Sequence, residues 1–345
     1  MFPGSSAQVE REYDNALRGF ALSAPAGSLD AIRAASGVKG AFLERETRVS
    51  DVDEVDAEGG TQAPRLSTQH PDNLSAQIMM RADQLTQKGE GKVVAVIDTG
   101  VEMTHPAFSG AMPSTPALTA DKVGALTPQL GEGKQGVYVS EKFPFAYDYA
   151  DGDNDAMPAK GSYGSHGTHV AGITAGNADQ IVGVAPEAQI IVAKVSRSSD
   201  GEIPDSALLA SLDDMVVLHP DVVNLSLGQL GGMDNEADSV YASVFKKLQD
   251  EGVSVNAAAG NHYSAGYGNT SGRNLPYASD PDSSVMDEPA TYPSVVAVGS
   301  VENALIRNAF TAAGKDIGYQ RSRGMNGEKV AYFSDLPAGT YEYVD

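Results

Sequence analysis

From Gly91 onward, short apolar runs alternate with longer segments whose apolar positions recur at helical spacing. The runs are Lys92–Ile97, Ala188–Val195, Asp221–Leu225, Val253–Ala257 and Ser294–Val298. Between them, Ala207–Leu218 carries Leu208, Leu212 and Met215 on one face, and Asp238–Asp250 carries Val240, Val244 and Leu248. Continuous β-branched strands need cover on both sides, and the intervening helices supply it. The pattern predicts an α/β fold: a mostly parallel twisted sheet with helices on both faces.

The first fifty residues follow a different rhythm. Leu17–Ser23 is strand-like, and Leu29, Ile32 and Ala35 then recur at helical spacing behind Ser28, an N-cap candidate, with Gly37 as the stop. Val38–Val49 alternates again like a strand. Residues 1–50 are therefore expected to form a small α+β unit. Residues 51–72 have linker composition, being acidic with two prolines and the pair Gly59-Gly60. Residues 73–316 form the α/β domain. The polar stretch 317–345, with a candidate strand at Lys329–Phe333, begins something else.

Composition narrows the chemistry. The 345 residues hold 24 Lys and Arg against 46 Asp and Glu, a net charge of −22. Such a surface repels nucleic acid and anionic lipid, while offering oxygen ligands to hard cations. With no cysteine, a disulfide scaffold, a thiolate metal site and a cysteine nucleophile are all excluded. No run approaches the ~18 apolar residues of a membrane span, so membrane insertion is not expected within the segment. Met1–Glu12 lacks the basic start and apolar core of a signal peptide, and the segment is expected to begin downstream of the true start.

Three blocks carry chemistry: VVAVIDTGV at Val93–Val101, SHGTHVAGITAG at Ser165–Gly176 and VNAAAGN at Val255–Asn261. Asp98 ends an apolar strand, where ligands bind in open α/β sheets; a carboxylate there can hold the Nδ1–H of a histidine. An aspartic-protease dyad needs a second carboxylate, and Asp98-Thr99-Gly100 is the only D-[ST]-G in the chain. His166 opens a helix rich in Gly and Ala that can lie close to a strand, as a rigidly held general base requires. A zinc reading of His166 with His169 lacks the further ligands. Asn261 follows a strand, where its amide can point at a developing oxyanion. NLSLG at Asn224–Gly228 is another strand end, to which a peptide could add as an extra strand.

In the order Asp98, His166, Asn261, these blocks resemble the subtilisin-like serine peptidases (S8 family) almost letter for letter. The resemblance implies that Asp98 orients, that His166 acts as base and then acid, and that Asn261 donates to the oxyanion. It also implies one substrate-binding edge at Ser226, Leu227 and Gly228, with Ala258, Ala259 and Gly260 opposite. The likeness covers about Asn73 to Gly299. Leu17–Ser50 is similar to the inhibitory propeptide that precedes such enzymes. Asn73–Leu85, with the long acidic loop before His166, looks like the cell-envelope proteinase and C5a-peptidase-like branch.

The chain departs from the family at the nucleophile. The G-T-S-M-A block that bears the serine is absent, and no G-x-S-x-G elbow replaces it. The segment is expected to stop inside an inserted protease-associated-type domain that begins at residue 317, and to be inactive alone. The parent protein is expected to be an extracellular or cell-wall-associated serine endopeptidase with polypeptide substrates and its own propeptide as partners. The alternative is a subtilisin-like fold that only binds peptides. No cofactor is required and no metal site is assigned; Asp151-x-Asp153-x-Asp155 is a candidate for a structural calcium, although Ala156 and Ser162 break the EF-hand pattern. Two geometric expectations follow. Asp98, His166 and Asn261 should converge at strand carboxyl ends. The N-terminal unit should lay Arg48–Asp51 towards the edge at Ser226–Gly228, and packing on the sheet face away from His166 would speak against its propeptide role.

Overall fold

The computed structural model describes residues 7–25, 27–47, 74–159, 165–178, 181–230, 235–260 and 286–299. In chain order these hold β1 (Gln8–Tyr13), β2 (Gly19–Ser23), α1 (Leu29–Arg33), β3 (Glu46–Thr47), α2 (Leu74–Met79), β4 (Val93–Asp98), α3 (Ala120–Leu126), β5 (Phe145–Asp148) and α4 (His166–Ala175). They continue with β6 (Gln189–Lys194), β7 (Ile203–Pro204), α5 (Asp205–Leu218), β8 (Val222–Leu225), β9 (Gln229–Leu230), α6 (Asn235–Asp250), β10 (Ser254–Ala258), β11 (Asp287–Glu288) and β12 (Val295–Val298).

The main sheet has six parallel strands in the order β12-β10-β8-β4-β6-β5. Every residue of β4 and β6 is buried, as strands covered on both faces must be. On one face Val93, Ala95 and Ile97 pack with α5 and α6 through Leu208, Leu212, Met215, Val244 and Leu248. On the other, Val94, Val96, Ile190 and Val192 pack with Ala171 and Ala175 of α4. The expected α/β sheet with helices on both faces is what the chain forms.

The register matters for function. Val96 is paired with Asn224, Asn224 with Asn256, Asp98 with Lys194, and Lys194 with Asp148. One row across the carboxyl end therefore runs from Ala258 through Ser226, Asp98 and Lys194 to Asp148. Lys194 is buried against Asp148 and also approaches Asp151.

The N-terminal residues differ from expectation in two ways. β1, a polar strand with no sequence signal, pairs antiparallel with β2. Of the alternating stretch Val38–Val49, only Glu46–Thr47 is paired in the described part, antiparallel to β7. Ser28 precedes α1 without a side-chain cap bond. The unit docks on the α5 face: Tyr13 enters the core, and Asp213 accepts hydrogen bonds from the backbone N–H groups of Asp14, Asn15, Ala16 and Leu17. Its body thus lies on the face away from α4, against the expectation stated for a propeptide. Its last strand nevertheless turns to the carboxyl end of the sheet, where β7 lies. Arg48–Asp51, the linker 51–72 and the tail 317–345 lie outside the described residues.

Candidate active site

Asp98 is the last residue of the central strand β4, and His166 the first of α4. Their meeting depends on an unusually close approach of helix and strand. A Cβ on Gly167 would stand 2.3 Å from the carbonyl oxygen of Gly100 and 3.1 Å from Asp98 Oδ1. Gly100 itself has φ of 101°, and a Cβ there would meet the carbonyl oxygen of Ala156 at 2.8 Å; glycine alone suits both positions. Two bonds then fasten the contact. Gly167 N–H donates to Thr99 Oγ1 at 3.0 Å, and Glu102 N–H donates to Thr168 Oγ1 at 2.9 Å. The small-residue pattern of this block is the local sequence cause of the site.

Within this clamp His166 Nδ1 lies 2.7 Å from Asp98 Oδ1, which also accepts the Thr99 N–H at 2.7 Å. Asp98 is 1% exposed and the His166 side chain 15%. Asp98 Oδ2 is buried and meets no donor among the described residues. An ionised carboxylate so placed is poorly solvated, and a cation on the imidazole relieves it. Burial pushes the His166 ring towards its neutral form, but the hydrogen bond and charge of Asp98 outweigh it, and the pKa is raised above the usual 6.5. Nδ1 is committed to the carboxylate, so Nε2 is the ring atom that can take a proton from a nucleophile.

Ser226, Leu227 and Gly228 follow β8, while Ala258, Ala259 and Gly260 end and follow β10. These segments are expected to lie opposite each other. In the structure they extend neighbouring, hydrogen-bonded strands, and β11 packs between their ends. Asp287 N–H donates to the Ala259 carbonyl at 3.0 Å. Glu288 pairs with Gln229, the residue after Gly228, and a Cβ on Gly228 would meet the Glu288 carbonyl at 2.8 Å. Leu227 is buried, and Ser226 Oγ accepts from Asn224 Nδ2 at 3.0 Å. Asp287 and Glu288 adjoin both candidate substrate edges, with no motif around them to announce them. Asn261 lies outside the described residues, so the convergence expected of three groups is seen for Asp98 and His166.

The acidic triplet is used locally. Asp151 Oδ2 accepts the Ser198 N–H at 2.9 Å and lies 3.6 Å from Lys194 Nζ. Asp153 Oδ1 accepts from Asp155 N–H, and Asp155 Oδ1 from Met157 N–H. Among the described residues no three His, Asp or Glu side chains are grouped to hold a metal ion. None of the described helices is long and apolar enough to cross a membrane.

The chain is similar to a set of known proteins. The subtilase (peptidase S8) family model matches residues 89–337. A PI-type proteinase of Lactococcus lactis subsp. cremoris is 31% identical over 280 residues, covering 77% of this chain and 14% of the relative. A subtilisin of Bacillus pumilus is 30% identical over 255 residues, covering 73% of this chain and 70% of the relative. The solved structure of sphericase covers 69% of this chain and 63% of its own, at 22% identity and a TM-score of 0.44. The chain thus spans about a seventh of the length of the lactococcal relative.

Proposed function

The chain belongs to the subtilase family of serine peptidases, and from that premise we propose that it supplies the orienting acid and general base of an exported serine endopeptidase. The observation that carries the proposal is the 2.7 Å contact of His166 Nδ1 with the buried Asp98 carboxylate. In the reaction His166 Nε2 takes the proton of a serine hydroxyl as its oxygen attacks the peptide carbonyl, and then delivers that proton to the leaving amine. Asp98 keeps the Nδ1–H and stabilises the imidazolium. Asn261 serves as oxyanion donor, the polypeptide substrate lies along Ser226–Gly228, and the serine comes from sequence beyond residue 345. The apolar and small residues of the wall accommodate polypeptide backbone at close range.

We further propose that residues 1–50 act as the propeptide, although their body docks on the face away from α4. Support comes from their C-terminal end alone: β3 pairs with β7, and Arg45 reaches Glu288, beside the candidate substrate edge. Mature protein is then expected to begin between residues 48 and 73, which N-terminal sequencing reads directly. The kinetic test uses a longer polypeptide that includes the downstream serine, with a casein-like substrate. His166→Ala should lower kcat by about 10⁶ and Asp98→Asn by about 10⁴, the sizes known for such triads. A His166→Ala enzyme within tenfold of wild type overturns the assignment, and a longer polypeptide that binds peptides without turnover establishes the binding-only alternative.

A further inference from the structure

Arg45 is held by the sheet domain in a way that a surface ion pair is not. Its Nε lies 3.0 Å from Asp205 Oδ2 and its Nη1 3.2 Å from Glu288 Oε2. The two carboxylate side chains are only 5% and 8% exposed. The guanidinium carbon sits 5.6 Å from the ring centroid of Tyr241, whose hydroxyl donates to Asp205 Oδ1 at 2.7 Å. The backbone is held as well, with Arg45 N–H donating to Asp205 Oδ2 and Asp205 N–H to the Arg45 carbonyl.

The two carboxylates arrive from different parts of the fold. Asp205 opens α5 directly after β7, whereas Glu288 belongs to β11, beside Gly228. The guanidinium therefore bridges the β7 edge and the candidate substrate edge. The chain bearing it is extended and enters antiparallel β pairing at the next residue, the way a bound peptide adds to a sheet edge. With Arg45 seated, both carboxylates are desolvated, and the cation between them offsets that cost. The arrangement suits a guanidinium best. Its rigid, planar fork directs separate N–H groups at two acceptors, and it is more weakly hydrated than a compact ammonium. Its carbon lies within cation–π range of the Tyr241 ring.

We propose that Asp205, Glu288 and the face of Tyr241 form a guanidinium-binding subsite, filled by Arg45 in this chain, that takes an arginine side chain of a polypeptide substrate once the N-terminal unit is displaced. Its vacancy rests on the propeptide role of residues 1–50; its chemistry does not.

The test starts from the full chain carrying Arg45→Ala, with thermal midpoint followed against added ethylguanidinium or ethylammonium. Ethylguanidinium should raise the midpoint saturably, ethylammonium should not at equal concentration, and adding Glu288→Gln should weaken the response at least tenfold. An equal response to both cations, or none, overturns the subsite. Should Arg45→Ala fail to fold, Arg45→Gln keeps the stem and gives the same comparison. In the longer, active polypeptide, peptides with an arginine upstream of the scissile bond should show a KM at least tenfold below their alanine counterparts at similar kcat. Glu288→Gln should erase the difference, and no such preference in wild type overturns the substrate role. Failure of the propeptide reading shows separately, as residues 1–50 remaining attached in mature protein while the ethylguanidinium response persists.

Discussion

Two glycines one turn and a half apart in α4 should respond to alanine with opposite sign. At Gly167 a Cβ meets the Gly100 carbonyl at 2.3 Å, whereas at Gly172 the nearest atom is Ile181 Cγ2 at 3.8 Å. Ordinary contact begins near 3.4 Å, so Gly167→Ala forces the helix back by about 1 Å, because Gly100 is itself wedged against Ala156. That retreat takes the 2.7 Å His166–Asp98 contact beyond the ~3.2 Å limit of a good hydrogen bond, and it loosens the bond from Gly167 to Thr99. Overpacking costs about 1–3 kcal/mol and two lost hydrogen bonds about 2 kcal/mol. The better helix propensity of alanine returns about 1 kcal/mol. The net expectation is a loss of about 2–4 kcal/mol, worked from those same ranges. Gly172→Ala should be neutral or stabilise by up to about 1 kcal/mol. Urea denaturation with linear extrapolation measures both, and NMR titration of the His166 ring adds a readout specific to the site. Its raised pKa depends on Asp98, so it should fall in Gly167→Ala and stay in place in Gly172→Ala. Equal stabilities for the two variants, or an unmoved His166 titration in Gly167→Ala, would refute the claim that helix–strand proximity holds the pair.

Two further outcomes test the surroundings. Lys194→Met leaves the buried Asp148 without its cation and should cost about 3–5 kcal/mol in urea unfolding, with a smaller loss once Asp148→Asn is added; a change under about 1 kcal/mol would contradict the pairing. Asp214 is buried under Gly131, Gly133 and Tyr149, whose hydrogen bonds only partly offset a desolvation that lifts its pKa from 3.8 to about 6. A folded pKa above the unfolded one gives stability that is complete below pH ~4 and lost as pH rises through ~6, about 3 kcal/mol at 1.36 kcal/mol per unit. The stability difference between wild type and Asp214→Asn should fall by about that amount from pH 4 to 7, and a flat difference would contradict it.

The sequence made the large elements legible because each satisfies a simple physical demand. Buried parallel strands are continuous and β-branched, and Asp98 and His166 sit in blocks whose small residues exist to bring helix and strand together. What escaped depends on pairings between distant segments. β7, β9 and β11 are two residues long and are defined by their partners, so no periodicity marks them, and of the strand-like stretch Val38–Val49 only β3 is paired among the described residues. β5 has only four residues, inside an aromatic and acidic stretch. Asp213 and Asp214 look like a solvated face of α5, yet are 1% and 0% exposed, because loops far off in sequence bring backbone donors to them. Lys194 likewise ends an apolar strand with a charge that Asp148, Asp151 and the Ser198 hydroxyl explain. The body of the N-terminal unit took the face opposite α4 for a comparable reason: its anchor, Asp213, is a helix residue that nothing local identifies as a receptor.

The most direct test of the central claim, that Asp98 and His166 activate a serine lying beyond residue 345, is covalent capture of the nucleophile. Residues 1–345 and a longer polypeptide are each treated with a fluorophosphonate, and the labelled residue is mapped by mass spectrometry. No serine within residues 1–345 should be labelled, one serine downstream in the longer polypeptide should be, and that labelling should be lost in His166→Ala. A labelled serine within residues 1–345, or downstream labelling that persists without His166, would contradict the claim.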